Sequence, residues 1–256
     1  MPKDSQPKVV AVSSFKGGTA KTSTSLHVGA ALAKFHKKNV LLIDFDAHAN
    51  LTTGLGYDPD EHDSIAPVLQ GEKPIEEVIL PTCLPGLDLI PADTWLERVE
   101  LAAPLATDRY SHERLKSLLQ PLQYDYIFID TPPSLCWLTE SALVASGWSL
   151  VCATSSFYSL KGLQRLATFV ENIGKRHLLE VLGVSVAFWN GRGKYNASCL
   201  QAIEEIFPGK IFPSKIRRDT HISDASIYGA PVFVTAPRSR ASEDYQNLTG
   251  DILRRI

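Results

Sequence analysis

The sequence predicts an α/β fold in which a mostly parallel, twisted sheet is flanked by helices on both faces. Short apolar runs recur along the chain, stretches with helical spacing lie between most of them, and polar motifs follow several of the runs. Alternation of strand and helix is typical of parallel sheets, because each crossover places a helix over one face. Ligands of such sheets bind at the carboxyl ends of the strands, where these polar motifs fall.

The predicted strands are short apolar runs bounded by polar or Gly/Pro segments. They are Val9–Val12, Val40–Ile43, Leu87–Ile90, Tyr126–Ile129, Leu150–Ala153 and Val181–Phe188. Helical spacing is seen in Thr24–Phe35, in Leu115, Leu118, Leu119 and Leu122, and in Leu160, Leu163, Leu166 and Val170. The 256 residues contain no repeat and no convincing linker. We therefore expect a single domain over residues 1–256.

Composition narrows the classes of protein. A net charge of -2 argues against a uniformly basic surface, so any contact with nucleic acid must come from a local patch. The cysteines are widely spaced, which favours reduced thiols and a cytoplasmic protein; they are Cys83, Cys136, Cys152 and Cys199. No apolar run approaches the roughly 18 to 20 residues that span a bilayer, and we expect no membrane partner.

The most informative segment is Ser14-Phe15-Lys16-Gly17-Gly18-Thr19-Ala20-Lys21-Thr22-Ser23, which joins the first predicted strand to a predicted helix. Two glycines let the backbone curl so that successive amide groups point at one centre, and the helix N-terminus adds its own N–H groups. Lys21 is placed to neutralise outer phosphates, and the hydroxyl of Thr22 to complete the shell of a magnesium ion. The segment predicts a phosphate-binding loop.

Ala20 departs from the usual loop pattern, which has glycine directly before the lysine. Its methyl group lies where backbone and phosphate approach closely. A positive φ at Ala20 would strain the loop by roughly 1 kcal/mol or more, whereas a negative φ would cost little. The sequence alone leaves the sign of this angle open.

Two further motifs place carboxylates at strand ends. Asp44-Phe45-Asp46-Ala47-His48-Ala49-Asn50 follows the second predicted strand, and Asp130-Thr131-Pro132-Pro133 follows the fourth. Asp44 and Asp46 point to opposite faces if the strand continues, so they are expected to differ in role. One is expected to hold a metal-bound water and the other to position the attacking water. Asp130 suits a contact to magnesium through a water.

Together these motifs resemble the ParA family of partition ATPases. The resemblance rests on Lys16-Gly-Gly-x-x-Lys21-Thr22, Asp44-x-Asp46-x-x-x-Asn50, Asp130-Thr-Pro-Pro and Pro237-Arg238-Ser239-Arg240. It runs from Lys8 to about Asp251, and its motifs are those of the deviant Walker A group of P-loop NTPases. The sequence looks closest to ParA-like proteins of chlamydia-type bacteria.

The resemblance implies a slow ATPase that uses ATP and Mg²⁺ and forms a homodimer with ATP between two subunits. By this resemblance the catalytic residues are Lys16, which reaches the partner's phosphates, Lys21, and Asp46, which orients the hydrolytic water. The implied nucleotide-binding residues are Lys16, Gly17, Gly18, Thr19, Ala20, Lys21, Thr22, Ser23 and Asn190. The implied metal site comprises Thr22, Asp44 and Asp130. His48 replaces the glutamine that is frequent at its position.

The resemblance also implies nonspecific binding of double-stranded DNA by the ATP dimer, a nucleoid-associated location, and stimulation of hydrolysis by a ParB-like protein. Contacts of this kind go to phosphates and weaken with salt. The candidate DNA-binding residues are Arg192, Lys194, Arg217, Arg218 and His221. His221 stands where an arginine is common.

Three alternatives stay open. A ParA-like interaction module would keep the fold while Ala20 weakens nucleotide binding. A MinD-like, membrane-associated ATPase would use the helical spacing of Leu248, Ile252, Leu253 and Ile256 to dock on lipid. An electron-transfer ATPase would bind an iron–sulfur cluster through Cys136, but no second ligand is suitably placed.

Overall fold

The computed structural model describes residues 6–101, 111–155 and 160–256. Its strands are β1 (Lys8–Ser13), β2 (Val40–Asp44), β3 (Leu80–Pro81), β4 (Leu87–Ile90), β5 (Tyr126–Asp130), β6 (Trp148–Thr154), β7 (Glu180–Trp189) and β8 (Ile211–Arg217). Within the described residues they form one sheet in the order β3-β4-β2-β5-β1-β6-β7-β8. Every strand pair is parallel except β3 with β4. The predicted mostly parallel sheet is confirmed.

Helices cover both faces of the sheet. They are α1 (Lys21–His36), α2 (Asn50–Gly54), α3 (Ile65–Gln70), α4 (Trp95–Leu101), α5 (Arg114–Leu119), α6 (Trp137–Ala145), α7 (Leu160–Gly174), α8 (Asn196–Ile206), α9 (His221–Ile227), α10 (Val232–Thr235) and α11 (Arg240–Leu253). Short 3₁₀ turns occupy Ile75–Val78 and Ser111–Glu113.

Alternate residues of β1 enter two separate hydrophobic cores. Val9 and Ala11 pack on the side of α3 to α8, whereas Val10 and Val12 pack on the side of α1 and α11. Both sets are buried, which is why β1 appears in the sequence as a continuous apolar run and not as an alternating one. The predicted helices on both faces are confirmed.

The edge strand β8 was not predicted from the sequence. Only Phe212 and Ile216 of this strand are fully buried, and Pro213 interrupts the apolar pattern. Proline lacks the N–H group needed for a strand ladder, so it is found at sheet edges. Arg217, a candidate DNA-binding residue, is the last residue of this strand.

The C-terminal helix α11 packs on the sheet. Leu248 and Ile252, which have helical spacing in the sequence, are fully buried in the core together with Tyr245. The apolar residues proposed for a membrane-docking helix are thus already in contact with the protein's own core. No helix in the described residues combines the length and the apolar content needed to cross a membrane.

Candidate nucleotide-binding site

The three motifs meet at one edge of the sheet because β2, β5 and β1 are neighbours. The glycine loop follows β1, the Asp44–Asn50 segment follows β2, and Asp130 ends β5. Asp44 and Asp130 are paired positions on adjacent strands. Residues that are far apart in sequence therefore share the carboxyl edge, as expected for a ligand site in a parallel sheet.

Side-chain hydrogen bonds hold the first half of the glycine loop. The hydroxyl of Ser14 donates to the carbonyl of Lys16 over 2.8 Å, and the buried hydroxyl of Thr19 donates to Ser14 Oγ over 2.8 Å. Gly18 has a φ of 71°, in the left-handed region that glycine tolerates. These contacts hold the loop in a curled shape.

Ala20 also lies in the left-handed region, with a φ of 64° and a ψ of 30°. The angle that the sequence left open is therefore positive, and the methyl group strains the backbone. The helix α1 begins directly afterwards at Lys21, three residues before the predicted start at Thr24. No side chain caps this helix, so its first N–H groups are available to an anion.

The two lysines of the loop differ in their surroundings. Lys21 is buried, and its charge lowers the pKa of the nearby Asp130. Lys16 and the two glycines after it are exposed. The amine of Lys16 makes no hydrogen bond or ion pair with any residue in the described part of the chain.

Asp130 is held by two hydroxyl groups of α1. Thr22 Oγ1 donates to Asp130 Oδ2 over 2.6 Å, and Ser25 Oγ donates to Asp130 Oδ1 over 3.0 Å. Ser25 was not identified from the sequence, although it follows Thr22 by three residues and so lies on the same helix face. The pKa of Asp130 is raised to about 6, because burial and the charge of Asp46 outweigh these hydrogen bonds and the charge of Lys21.

Asp44 is fully buried and anchors the loop that follows it. Its Oδ2 accepts hydrogen bonds from the backbone N–H of Thr52 (2.9 Å) and from its hydroxyl (2.8 Å). Burial, and after it the charge of Asp130, raise the pKa of Asp44 to about 7. The contact with Thr52 is structural and was not revealed by the sequence. The other carboxylate oxygen, Oδ1, accepts a hydrogen bond from the backbone N–H of Asp46 over 3.3 Å.

The donor set fits a magnesium ion. Two buried carboxylates repel each other here, and a cation would relieve that repulsion. The hydroxyl proton of Thr22 points to Asp130, which leaves an oxygen lone pair for a metal. In the described residues no group of three or more His, Cys, Asp or Glu side chains is arranged as metal ligands. Magnesium would therefore take few protein ligands and complete its shell with phosphate and water.

The loop after β2 brings Asp46 and His48 together. His48 Nδ1 lies 2.8 Å from Asp46 Oδ1, and the backbone N–H of His48 donates to the same oxygen over 3.1 Å. Asp46 is mostly buried, and His48 is largely exposed. Asp46 lies near enough to Asp130 for its charge to raise the pKa of that carboxyl.

Asn190, Arg192 and Lys194 lie in the turn after β7, at the same edge of the sheet. Asn190 lines a hollow of about 510 Å³ with Phe188, Trp189, Gly191, Arg217, Arg218 and Arg240. The glycine loop does not line this hollow. The assignment of Asn190 to the nucleotide stays a prediction.

The basic residues of this edge differ in how far neighbouring side chains already occupy their charged groups. Arg217 donates to both oxygens of Asp244 and to Glu243, so its charge is neutralised by two carboxylates of α11. The assignment of Arg217 to the DNA-binding residues stays a prediction, and its guanidinium is already engaged by these two carboxylates. His221 Nδ1 lies 2.7 Å from Asp219 Oδ1. Arg218 stacks on the ring of Phe188, with 5.6 Å between the guanidinium carbon and the ring centroid.

The four cysteines are free thiols. Cys152 and Cys199 are buried, Cys136 is partly exposed and Cys83 is exposed. The sulfur of Cys136 lies 3.8 Å from Thr139 Oγ1 on its own helix. None of these contacts points to an iron–sulfur cluster.

Comparison with known proteins identifies the family. A sequence family described as an AAA domain matches residues 7–182. The chain is 65% identical over 248 residues to a ParA family protein of Chlamydia trachomatis serovar D, covering 96% of this chain and 97% of that protein. It is 34% identical to the sporulation initiation inhibitor protein Soj of Bacillus subtilis, covering 96% and 98%.

A solved structure shares the fold. Cobyrinic acid a,c-diamide synthase from Mycobacterium smegmatis, with bound ADP and magnesium, superimposes with a TM-score of 0.84 at 26% identity, covering 97% of this chain and 94% of that one. The ADP and magnesium bound by that protein are consistent with ATP and Mg²⁺ as cofactors of this fold. The chain belongs to the ParA family of partition ATPases.

Proposed function

We propose that the protein is an ATP-dependent switch of DNA partition. With ATP and Mg²⁺ it forms a sandwich homodimer that binds double-stranded DNA nonspecifically and so associates with the nucleoid. Slow hydrolysis, stimulated by a ParB-like protein, returns it to the monomer. The ParB-like partner is taken from the family alone.

The observation that carries this proposal is the contrast between the two lysines of the loop. Lys21 is buried near Asp130, whereas Lys16 is exposed and has no partner among the described residues. An unpaired cation at the entrance of a phosphate loop suits the phosphates of a nucleotide held by a second copy. The proposal therefore assigns Lys21 to binding and Lys16 to dimerisation.

Calorimetry and light scattering separate these two roles. Lys21→Ala is expected to abolish ATP binding. Lys16→Ala is expected to keep ATP affinity within a few-fold and to lose the ATP dimer. A Lys16→Ala protein that still dimerised with ATP would remove Lys16 from the interface.

The DNA face is proposed to use Arg192, Lys194 and Arg218, which lie at the carboxyl edge. We expect Arg192→Glu to weaken DNA retention, and the loss to shrink as salt rises, because phosphate contacts release counterions. Lys175→Glu is the matched control, since it makes the same charge change after α7, at the opposite edge. Equal losses for both variants would point to net charge instead of a DNA face.

The interaction module without strong nucleotide binding stays a second candidate, favoured by the positive φ of Ala20. It predicts no saturable heat when the protein is titrated with Mg²⁺ and ATP at millimolar concentration. The first candidate predicts saturation in the same titration.

A further inference from the structure

We propose that the imidazole of His48 positions Asp46, fixing one carboxylate oxygen so that the other is free to orient the attacking water. This inference rests on the proposed function, because it takes Asp46 to act in ATP hydrolysis. By the family resemblance, His48 stands where glutamine is frequent.

The geometry of the loop supports a fixed carboxylate. Asp46 Oδ1 accepts both from His48 Nδ1 and from the backbone N–H of His48, and the carbonyl of Asp46 accepts from the N–H of Ala49 over 2.9 Å. Such a turn, closed by an aspartate side chain, orients the carboxylate relative to its own backbone. Both hydrogen bonds from His48 go to Oδ1 of Asp46. The other oxygen, Oδ2, accepts no hydrogen bond from the described residues, which are 6–101, 111–155 and 160–256.

Charge strengthens the contact. The hydrogen bond to Asp46 and the charge of Asp46 raise the pKa of His48, and the charges of Glu97 and Asp44 raise it further. The slight burial of the ring opposes them. The imidazole is thus drawn to Asp46 by a charge-assisted bond, which is stronger than a neutral one.

In the contact between His48 and Asp46, the imidazole is the donor. An ionised carboxylate only accepts, so Nδ1 of His48 must carry the proton that lies between the two groups. The amide nitrogen of asparagine is the same number of bonds from the backbone as this atom. His48→Asn therefore keeps a donor at this position, whereas His48→Leu removes it. The side chain of His48 is 71% exposed, so neither change disturbs the core.

Steady-state ATP hydrolysis with saturating DNA tests the inference. For His48→Leu we expect kcat to fall at least about tenfold with KM within about twofold, because a displaced catalytic group slows chemistry without weakening binding. His48→Asn should recover most of the loss.

The outcomes distinguish the inference from the proposed function. If Asp46→Ala abolishes turnover and His48→Leu leaves kcat unchanged, the inference is overturned and the proposed function stands. If His48→Leu raises KM and leaves kcat unchanged, His48 binds nucleotide and the inference is again overturned. If Asp46→Ala leaves turnover unchanged, or the wild-type protein hydrolyses no ATP, both are overturned.

A second measurement does not depend on turnover. The ring nitrogens of His48 can be titrated by NMR in the nucleotide-free protein and in Asp46→Ala. We expect the pKa of His48 to be lower in the variant, because the carboxylate that raises it is gone. An unchanged pKa would show that the contact is absent in solution and would overturn the inference.

Discussion

Ala20 holds a left-handed backbone conformation at the position that starts α1. A β-carbon in this region costs about 1–2 kcal/mol, which glycine avoids. Lys37 has the same conformation at the other end of the helix, with a φ of 54°. The strain at Ala20 differs in being located where a phosphate would approach the backbone.

Ala20→Gly is expected to raise ATP affinity several-fold, because it removes both the strain and the methyl group at the phosphate loop. Stability should rise by no more than about 1 kcal/mol, since glycine also adds freedom to the unfolded chain. Lys37→Gly is the matched control and should leave ATP affinity unchanged. Calorimetry that finds equal affinities for the wild type and Ala20→Gly would contradict this account of the loop.

His27 links the first turns of α1 to α10. Its Nδ1 donates to the carbonyl of Ser23 over 2.7 Å, and its Nε2 accepts from the N–H of Val232 over 3.2 Å. The ring stacks on Tyr245 with 4.6 Å between centroids. Both nitrogens are used in the neutral ring, and burial lowers the pKa of His27 to about 4.

This buried histidine makes stability depend on pH. In the unfolded chain His27 has the ordinary histidine pKa of 6.5 and binds a proton below it, whereas in the folded protein it does not until about pH 4. The stabilisation is therefore complete above pH 6.5 and is lost as pH falls towards 4, by about 3 kcal/mol. The raised pKa values of buried Asp44 and Asp130 change stability with pH in the opposite direction. The contribution of His27 therefore has to be measured by comparison with a variant that lacks it.

Urea unfolding of the wild type and of His27→Gln at pH 7 and pH 4.5 measures the contribution of His27 to the free energy of unfolding. The stability advantage of the wild type over His27→Gln should shrink by roughly 2–3 kcal/mol at the lower pH. An advantage that is the same at both pH values would mean that His27 is protonated in the folded protein.

At the scale of elements, α7 supports the phosphate loop directly. A β-carbon on Gly162 would lie 2.6 Å from Phe15 Cδ1 and 3.3 Å from Phe15 Cβ, so the helix approaches the loop as closely as glycine permits. The guanidinium of Arg165 lies 5.5 Å from the centroid of the same ring. Phe15 immediately precedes Lys16, so any movement of this ring reaches the loop.

Gly162→Ala is expected to weaken ATP binding several-fold while global stability changes by less than about 1 kcal/mol. The added methyl displaces Phe15, but alanine favours the helix by a similar amount. Gly147→Ala is the control, because no atom lies within 4 Å of the β-carbon it would add. The account of this contact is wrong if both variants bind ATP like the wild type.

The elements that sequence predicts well are those buried on both faces. β1, β2, β4 and β5 are recognisable because nearly every residue in them is apolar. β8 has few buried residues, and its basic residues give it a sequence pattern that is also typical of a surface loop. The residues of the candidate site could be predicted because they lie in local sequence motifs. The pairing of Arg217 with Asp244 could not, because these residues are 27 positions apart and meet only in the folded structure.

At the scale of the whole molecule, one edge of the sheet carries all the proposed functions. The glycine loop, Asp46 and Asp130 lie at its centre, and Arg192, Lys194 and Arg218 lie towards the β8 side. The net charge of -2 therefore does not prevent a locally basic edge. A second copy placed against this edge would bring Lys16 to the phosphates of its partner and join the two basic regions into one face.

The mass of the protein in solution, measured by light scattering after size exclusion without nucleotide, with ADP and with ATP, tests this most directly. The chain has a mass of 28.1 kDa. We predict that the Asp46→Ala protein, in which hydrolysis is blocked, doubles its mass with Mg²⁺ and ATP and stays monomeric with ADP or without nucleotide. The same mass in all three conditions would contradict the account.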